Sequence, residues 1–266
     1  MSVSMKDLKD YAIGATDGNI GQVKDFLFDD DTWVIRYFVV ETGNWLSSRQ
    51  VLISPISIDL PEWEKKILST SITRAQVKDS PDIDTRKPVS RQHEVDYLRY
   101  YGYPDYWGST GLWGGGMYPY ALVPNYIGSG IGRLGFENAG ESHLREERAR
   151  RSNDDPHLRS CQAVTGYHIH ALDGEIGHVS DFLVDEQTWS IRYLVVDTSN
   201  WWLGHKVLIS PQWIEDVCWL DQSVTIDLTR ESIKDAPSYV STEQLNRERE
   251  VSLYQHYSRP GYWQGA

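Results

Sequence analysis

The chain has 266 residues and a formal net charge of −12, and at roughly 100–200 residues per domain that length suggests two domains. Its acidic balance argues against general nucleic-acid binding, which needs cationic contacts to phosphate, and no apolar run approaches the ~20 residues that span a bilayer. The two cysteines, Cys161 and Cys218, match no metal-ligand spacing and point to reduced thiols in a cytoplasmic setting.

The elements are short and mostly extended. Asp17-Gly18 is a tight-turn signal between two extended runs. Ile20 to Phe28 reads as a strand, and Asp29 to Thr32 as a polar turn. Trp33 to Val40 is dense in β-branched and aromatic residues and apolar on nearly both faces, which places it inside a barrel or sandwich. Val51-Leu-Ile53 is a further strand, closed by Ser54-Pro55. Residues 57–60 and 66–72 read as two more strands around a turn at Pro61-Glu62. Thr73 to Asp79 reads as a short helix with Thr73 as N-cap and Pro81 as stop. A helix is expected from Ser90 to Tyr100, and its counterpart from Thr242 to Tyr257.

These elements occur twice. Asp17-Gly-Asn-Ile-Gly-Gln-Val-Lys-Asp-Phe-Leu27 matches Asp173-Gly-Glu-Ile-Gly-His-Val-Ser-Asp-Phe-Leu183 at an offset of 156 residues. The same offset pairs Thr32–Val40 with Thr188–Val196, Val51–Pro55 with Val207–Pro211, and Tyr106-Trp107 with Tyr262-Trp263. A period this long means whole domains, not a solenoid of short units. The domains expected are residues 1–107, a connector over 108–159, and residues 160–266. The connector is rich in Gly and aromatics, as in Trp113-Gly-Gly-Gly-Met-Tyr-Pro-Tyr120. It reads as a flexible linker or, because linkers are usually poor in aromatics, as a recognition segment.

The Asp-Gly-x-Ile-Gly-x-Val-x-Asp-Phe-Leu run, the Ile-Arg-Tyr-x-Val-Val strand and the Val-Leu-Ile-Ser-Pro end resemble the PRC-barrel family in both copies. That family includes the cytoplasmic domain of the photosynthetic reaction-centre H subunit and many stand-alone bacterial proteins. The resemblance implies a mainly β fold: two small PRC-type β-barrels with short accessory helices. It implies no shared catalytic residues and no cofactor. The function it implies is that of a non-enzymatic protein-interaction or adaptor protein. The partner would be another protein, with a homodimer or an intramolecular pseudo-dimer as further expectations.

The chain has 11 Trp and 16 Tyr but only 5 Phe, and Trp and Tyr suit surfaces that are apolar on one side and wet on the other. Interaction candidates are Trp45, Trp201 and Trp202 after the long strands, and Tyr106, Trp107, Tyr262 and Trp263 after the terminal helices. The alternative is that these aromatics fold back over their own barrel. Asp25 and Asp181 are expected to pair with Arg36 and Arg192 on the next strand, a structural role. A runner-up function is a small-ligand or metal-responsive sensor. It would use His168 and His170, on one strand face, with His178 across the hairpin; the first copy has Ala12, Gly14 and Gln22 there. Ser54 and Ser210 lack the glycines of a nucleophile elbow, and no phosphate-binding or zinc-protease motif is present, so no enzymatic activity is expected.

Overall fold

The computed structural model describes residues 2–59, 63–81, 89, 91–107, 111–114, 116–122, 157–199, 205–240 and 245–264. It is mainly β, with two sheets and two compact units. One unit holds Leu8–Ser160 together with Gln187–Trp189; the other holds Met1–Asp7, Cys161–Glu186 and Ser190–Ala266. They are termed here the first-repeat and second-repeat units. Among the described residues, no helix is long and apolar enough to cross a membrane.

In chain order the strands are β1 (Ser2–Ser4), β2 (Ala12–Ala15), β3 (Gly18–Asp29), β4 (Val34–Thr42), β5 (Gln50–Ile53) and β6 (Ile67–Ser69). After the connector come β7 (Leu158–Ser160), β8 (His168–Ala171), β9 (Gly174–Asp185), β10 (Ile191–Asp197), β11 (Lys206–Ile209), β12 (Ile214–Cys218) and β13 (Ser223–Ile226). The helices are α1 (Met5–Leu8), α2 (Arg74–Lys78), α3 (Arg91–Tyr101), α4 (Cys161–Val164), α5 (Arg230–Lys234) and α6 (Arg247–His256). The first-repeat sheet runs β5-β4-β3-β2-β6, and the second-repeat sheet runs β11-β10-β9-β8-β13-β12. Among the described residues only β2–β6 and β8–β13 pair in parallel.

The motif residues explain this geometry. Gly18 turns β2 into β3 with a φ of 146°, and Gly174 does the same at 140°, a region that favours glycine. Asp17 and Asp173 accept hydrogen bonds from the first helical N–H of α2 and α5, at Arg74 and Arg230, each at 2.7 Å. The second motif glycine is a matter of space. A Cβ on Gly21 would sit 2.0 Å from the Glu41 carbonyl oxygen, and one on Gly177 would sit 2.0 Å from that of Asp197. Bulges on β3, between Val23 and Asp25, and at the matching place on β9 against β10 bend the long hairpins. Their apolar faces form the cores, including Ile20, Val23, Phe28, Ile35, Phe38 and Val40 in the first-repeat unit, all fully buried.

The structure corrects several expected boundaries. Trp33 does not open β4. It takes a left-handed turn (φ 56°), as Trp189 does before β10 (φ 58°), and it stacks on Phe28 at 5.1 Å. Of the strand expected over 57–60, Ser57 ends a 3-10 turn and Ile58 forms a bridge with Thr70, while Leu60 lies outside the described residues; the second copy has the strand β12 in this part. Helix α2 lies where expected, with Thr73 and Gln76 in a capping box. Helix α6 starts later than expected because the Asn246 side chain accepts from the Arg249 N–H and caps it.

The units and the repeats part company at the first strand. β7, just ahead of the second copy, pairs with the end of β3. β1, at the head of the first copy, pairs with the end of β9.

Gly21→Ala and Gly177→Ala should each cost about 1–3 kcal/mol, the usual range for overpacking. Urea unfolding should show a lower midpoint at unchanged slope; an unchanged midpoint would mean the strands can part locally without cost.

Candidate interaction site

Each unit holds a buried glutamate on its long helix, ringed by tyrosines and a cation. In the first-repeat unit Glu94, on α3, is fully buried. Its carboxylate accepts from Tyr37 Oη at 3.3 Å and from Tyr106 Oη, and His157 Nε2 lies 2.7 Å from its second oxygen. Arg36 is 2% exposed. Its guanidinium sits 3.8 Å over the Tyr106 ring and 4.9 Å from the Trp113 ring, and it donates to the Leu112 carbonyl at 2.6 Å. The Trp113 indole in turn donates to the Thr188 carbonyl at 2.8 Å. The connector residues Leu112 and Trp113 therefore close over Arg36, and this face is sealed.

The second-repeat unit repeats the carboxylate and the tyrosines. Glu250, on α6, accepts from Tyr193 Oη at 2.9 Å and Tyr262 Oη at 3.0 Å. Arg247 supplies the cation at 2.9 Å. Arg192 sits 4.2 Å over the Tyr262 ring, and Arg247 lies 4.4 Å from the Trp263 ring. The Arg247 side chain is 54% exposed, and Tyr262 and Trp263 are half-buried. The result is a surface of guanidinium and aromatic faces held rigid from beneath by a buried carboxylate. Such a surface suits aromatic, amide or acidic groups, through cation–π and charge-assisted contacts.

The expected candidates are therefore divided. Tyr106 is buried, and its hydroxyl is used by Glu94. Trp107 is half-buried and packs edge-on against Tyr106 at 4.9 Å. Trp45 is turned inward: its indole donates to the Ile20 carbonyl at 2.7 Å, and Arg74 covers its ring at 4.2 Å. Trp201, Trp202 and connector residues 123–156 lie outside the described residues. Tyr262 and Trp263 are brought together with Arg192 and Arg247. Arg247 was missed by sequence reasoning, because an exposed helical arginine reads as solvated surface until its rings are placed.

The expected Asp–Arg pairs also re-form with different partners. Arg36 lies 3.9 Å from Asp29, and Arg192 lies 3.9 Å from Asp185. Asp25 instead accepts from Ser160, and Asp181 from Ser4. His168 and His178 do face each other across the β8–β9 hairpin, but His168 Nδ1 turns to Glu175 at 2.8 Å. Among the described residues, no group of three or more His, Cys, Asp or Glu side chains is placed to hold a metal. His168, His170 and His178 thus form no ligand set.

Burial shifts the tyrosines beneath the site. Tyr37 is held well above its ordinary value of 10.0, first by burial and then by the Glu94 charge. Tyr193 is raised in the same way by burial and Glu250. Burial lowers Arg36, against Tyr106, Asp29 and Glu94, which favour its charge.

Two sheets, each with a helix docked against it through a buried carboxylate, define a β-structured module. Residues 3–70 match the family model described as PRC-barrel domain, so the chain carries a PRC-barrel domain, as its motifs imply. Over 68 residues it is 38% identical to a protein of Deinococcus radiodurans described as uncharacterized. That match covers 26% of this chain and 24% of the relative.

Glu94→Ala should be among the costliest single changes in the first-repeat unit, about 3–5 kcal/mol, because it removes the buried carboxylate that Tyr37, Tyr106 and His157 share. Glu250→Ala should cost less in the same urea assay, since Arg247 can return to solvent; equal losses would contradict the difference in exposure. The raised tyrosines also set the alkaline limit. Their folded pKa lies above the unfolded value near 10.0, so their stabilisation is complete below that pH and is lost as pH rises past it. Tyrosinate absorbance should therefore rise in step with loss of near-UV circular dichroism. Full titration with the fold intact would rule this out.

Proposed function

We propose that this chain is a non-enzymatic protein-interaction module made of two PRC-barrel domains, the second copy being the second domain. The repeated motif register and the matching sheet orders support reading both copies alike. On this reading each sheet closes as a small barrel, and the protein works in the cytoplasm as an intramolecular pseudo-dimer. Its two cysteines, Cys161 and Cys218, fit a reducing compartment.

The observation that carries the proposal is the half-exposed face of the second-repeat unit, where Arg192 lies over the Tyr262 ring and Arg247 lies beside Trp263. In the first-repeat unit Arg36, the counterpart of Arg192, meets the Leu112 carbonyl and the Trp113 ring. Trp, Tyr and Arg on a rigid base are the residues that dominate protein interfaces. Trp201 and Trp202 join this proposal on sequence grounds alone.

The test is affinity capture from lysate of the source cell with wild type, Arg247→Ala, Trp263→Ala, Trp202→Ala and the exposed control Glu215→Gln. A protein held by wild type and by the control should fall about tenfold or more with Arg247→Ala and Trp263→Ala, the size of a hot-spot loss. Capture unchanged in both variants would remove this face from the proposal. Loss with Trp202→Ala alone would move the site to that loop. Capture of nothing by wild type would remove the adaptor reading.

A further inference from the structure

Asp25 and Asp181 sit before Phe-Leu at the bulged stretch of β3 and β9. In each unit this carboxylate meets a serine that ends a three-residue strand and leads into a one-turn helix. In the second-repeat unit Ser4 Oγ donates to Asp181 Oδ2 at 2.6 Å, and the Lys6 N–H of α1 donates to Oδ1 at 3.2 Å. β1 lies antiparallel on β9 in the register Ser2–Asp185, Val3–Val184, Ser4–Leu183. In the first-repeat unit Ser160 Oγ donates to Asp25, and β7 lies on β3 in the register Leu158–Asp29, Arg159–Phe28, Ser160–Leu27. This second arm is also pinned at its base. The Asp30 N–H donates to the His157 carbonyl at 3.0 Å, and Arg159 Nε lies 2.8 Å from Asp30.

The two arms are related by the same offset of 156 that relates the repeats, Ser4 to Ser160 and Asp25 to Asp181. We infer that the two repeats exchange their first strands. The Asp-Phe-Leu edge of each repeat is a docking site for a short strand ending in serine and running into a helix. The edge of the second repeat is filled by Ser2–Ser4, and that of the first by Leu158–Ser160.

The serine–aspartate contacts themselves do not favour exchange over its absence. Ser4 would find the same carboxylate on Asp25 that it finds on Asp181. The exchange is a matter of connectivity, so neither repeat completes its sheet from its own sequence. The chain is then the covalent form of a strand-exchanged dimer, an arrangement known generally as domain swapping. Asp181 also gains a role. Burial raises its pKa, while Ser4, Phe182 and Lys6 donate to the carboxylate and oppose that shift. An aspartate with those donors serves a specific strand end better than a bare backbone edge does.

The test must read connectivity. In the full chain carrying Cys161→Ala and Cys218→Ser, Asp185→Cys is combined with Ser2→Cys in one variant and with Leu158→Cys in another. Oxidation should close a disulfide within single chains for the Ser2→Cys pair and not for the Leu158→Cys pair. The reverse result would overturn the exchange. A Ser2→Cys disulfide that joins two chains would overturn it too, by giving the arm to a second copy. A second readout avoids new thiols. Val3→Pro removes a ladder donor from the arm. Hydrogen exchange should then show lost protection at Leu183–Asp185, with Leu27–Asp29 unchanged. Loss at Leu27–Asp29 instead would overturn the inference.

Discussion

A carboxylate taken out of water costs several kcal/mol unless its oxygens are met, and in this protein that cost organises the fold around it. Glu94 is reached from four separate parts of the sequence: its own helix, Tyr37 on β4, Tyr106 after the helix, and His157 at the foot of β7. β4 is fixed by its own buried apolar faces, and the other segments close on it. Together they must converge, because leaving any one away strands a polar group in the interior. The helix is docked by chemistry as much as by packing, and the short strand β7 is placed by a contact at its base. Glu250 does the same with Tyr193 and Tyr262. There the cation comes from the next turn of the same helix and faces solvent.

The parts legible in the sequence were those with a local pattern. The Asp-Gly turns, the long apolar strand and the capped helix after Thr73 follow from turn chemistry, alternation and capping, and the structure places all of them. The family match spans residues 3–70, which include the first Asp-Gly turn and the first long apolar strand. What was not legible depended on partners distant in sequence. Ser2–Ser4 and Leu158–Ser160 are three residues each, too short for any period to show, and nothing local says which edge they will find. Trp33 belongs by composition to its strand, yet it turns left-handed, stacking on Phe28. Asp25 and Arg36 looked like cross-strand partners because they lie on adjacent strands. Asp25 lies opposite Val39, and Arg36 is itself the extra residue of the bulge between Leu27–Tyr37 and Phe28–Ile35, so each finds another mate. For the candidate surface, composition pointed to Tyr262 and Trp263 but could not separate them from Tyr106 and Trp45, which the fold consumes.

That separation bears on function more than the motif does. Asp17, Gly18 and Gly21 are needed to cap a helix, turn a hairpin and let two strands approach. They would be needed whatever the protein bound, so the residues that carry the family likeness describe how to build the module and not what it meets. Information about a partner has to lie where two copies under the same folding constraints differ. They agree at the carboxylate, the two tyrosines and the arginine on the long strand. In the described contacts His157 meets the Glu94 carboxylate and Arg247 meets Glu250. In one copy the connector's Leu112 and Trp113 occupy the face, showing what chemistry it accepts: a backbone carbonyl on the guanidinium and an indole beside it. In the other copy Arg192 over Tyr262 and Arg247 beside Trp263 present the same kind of guanidinium and ring, with Arg247 more than half exposed.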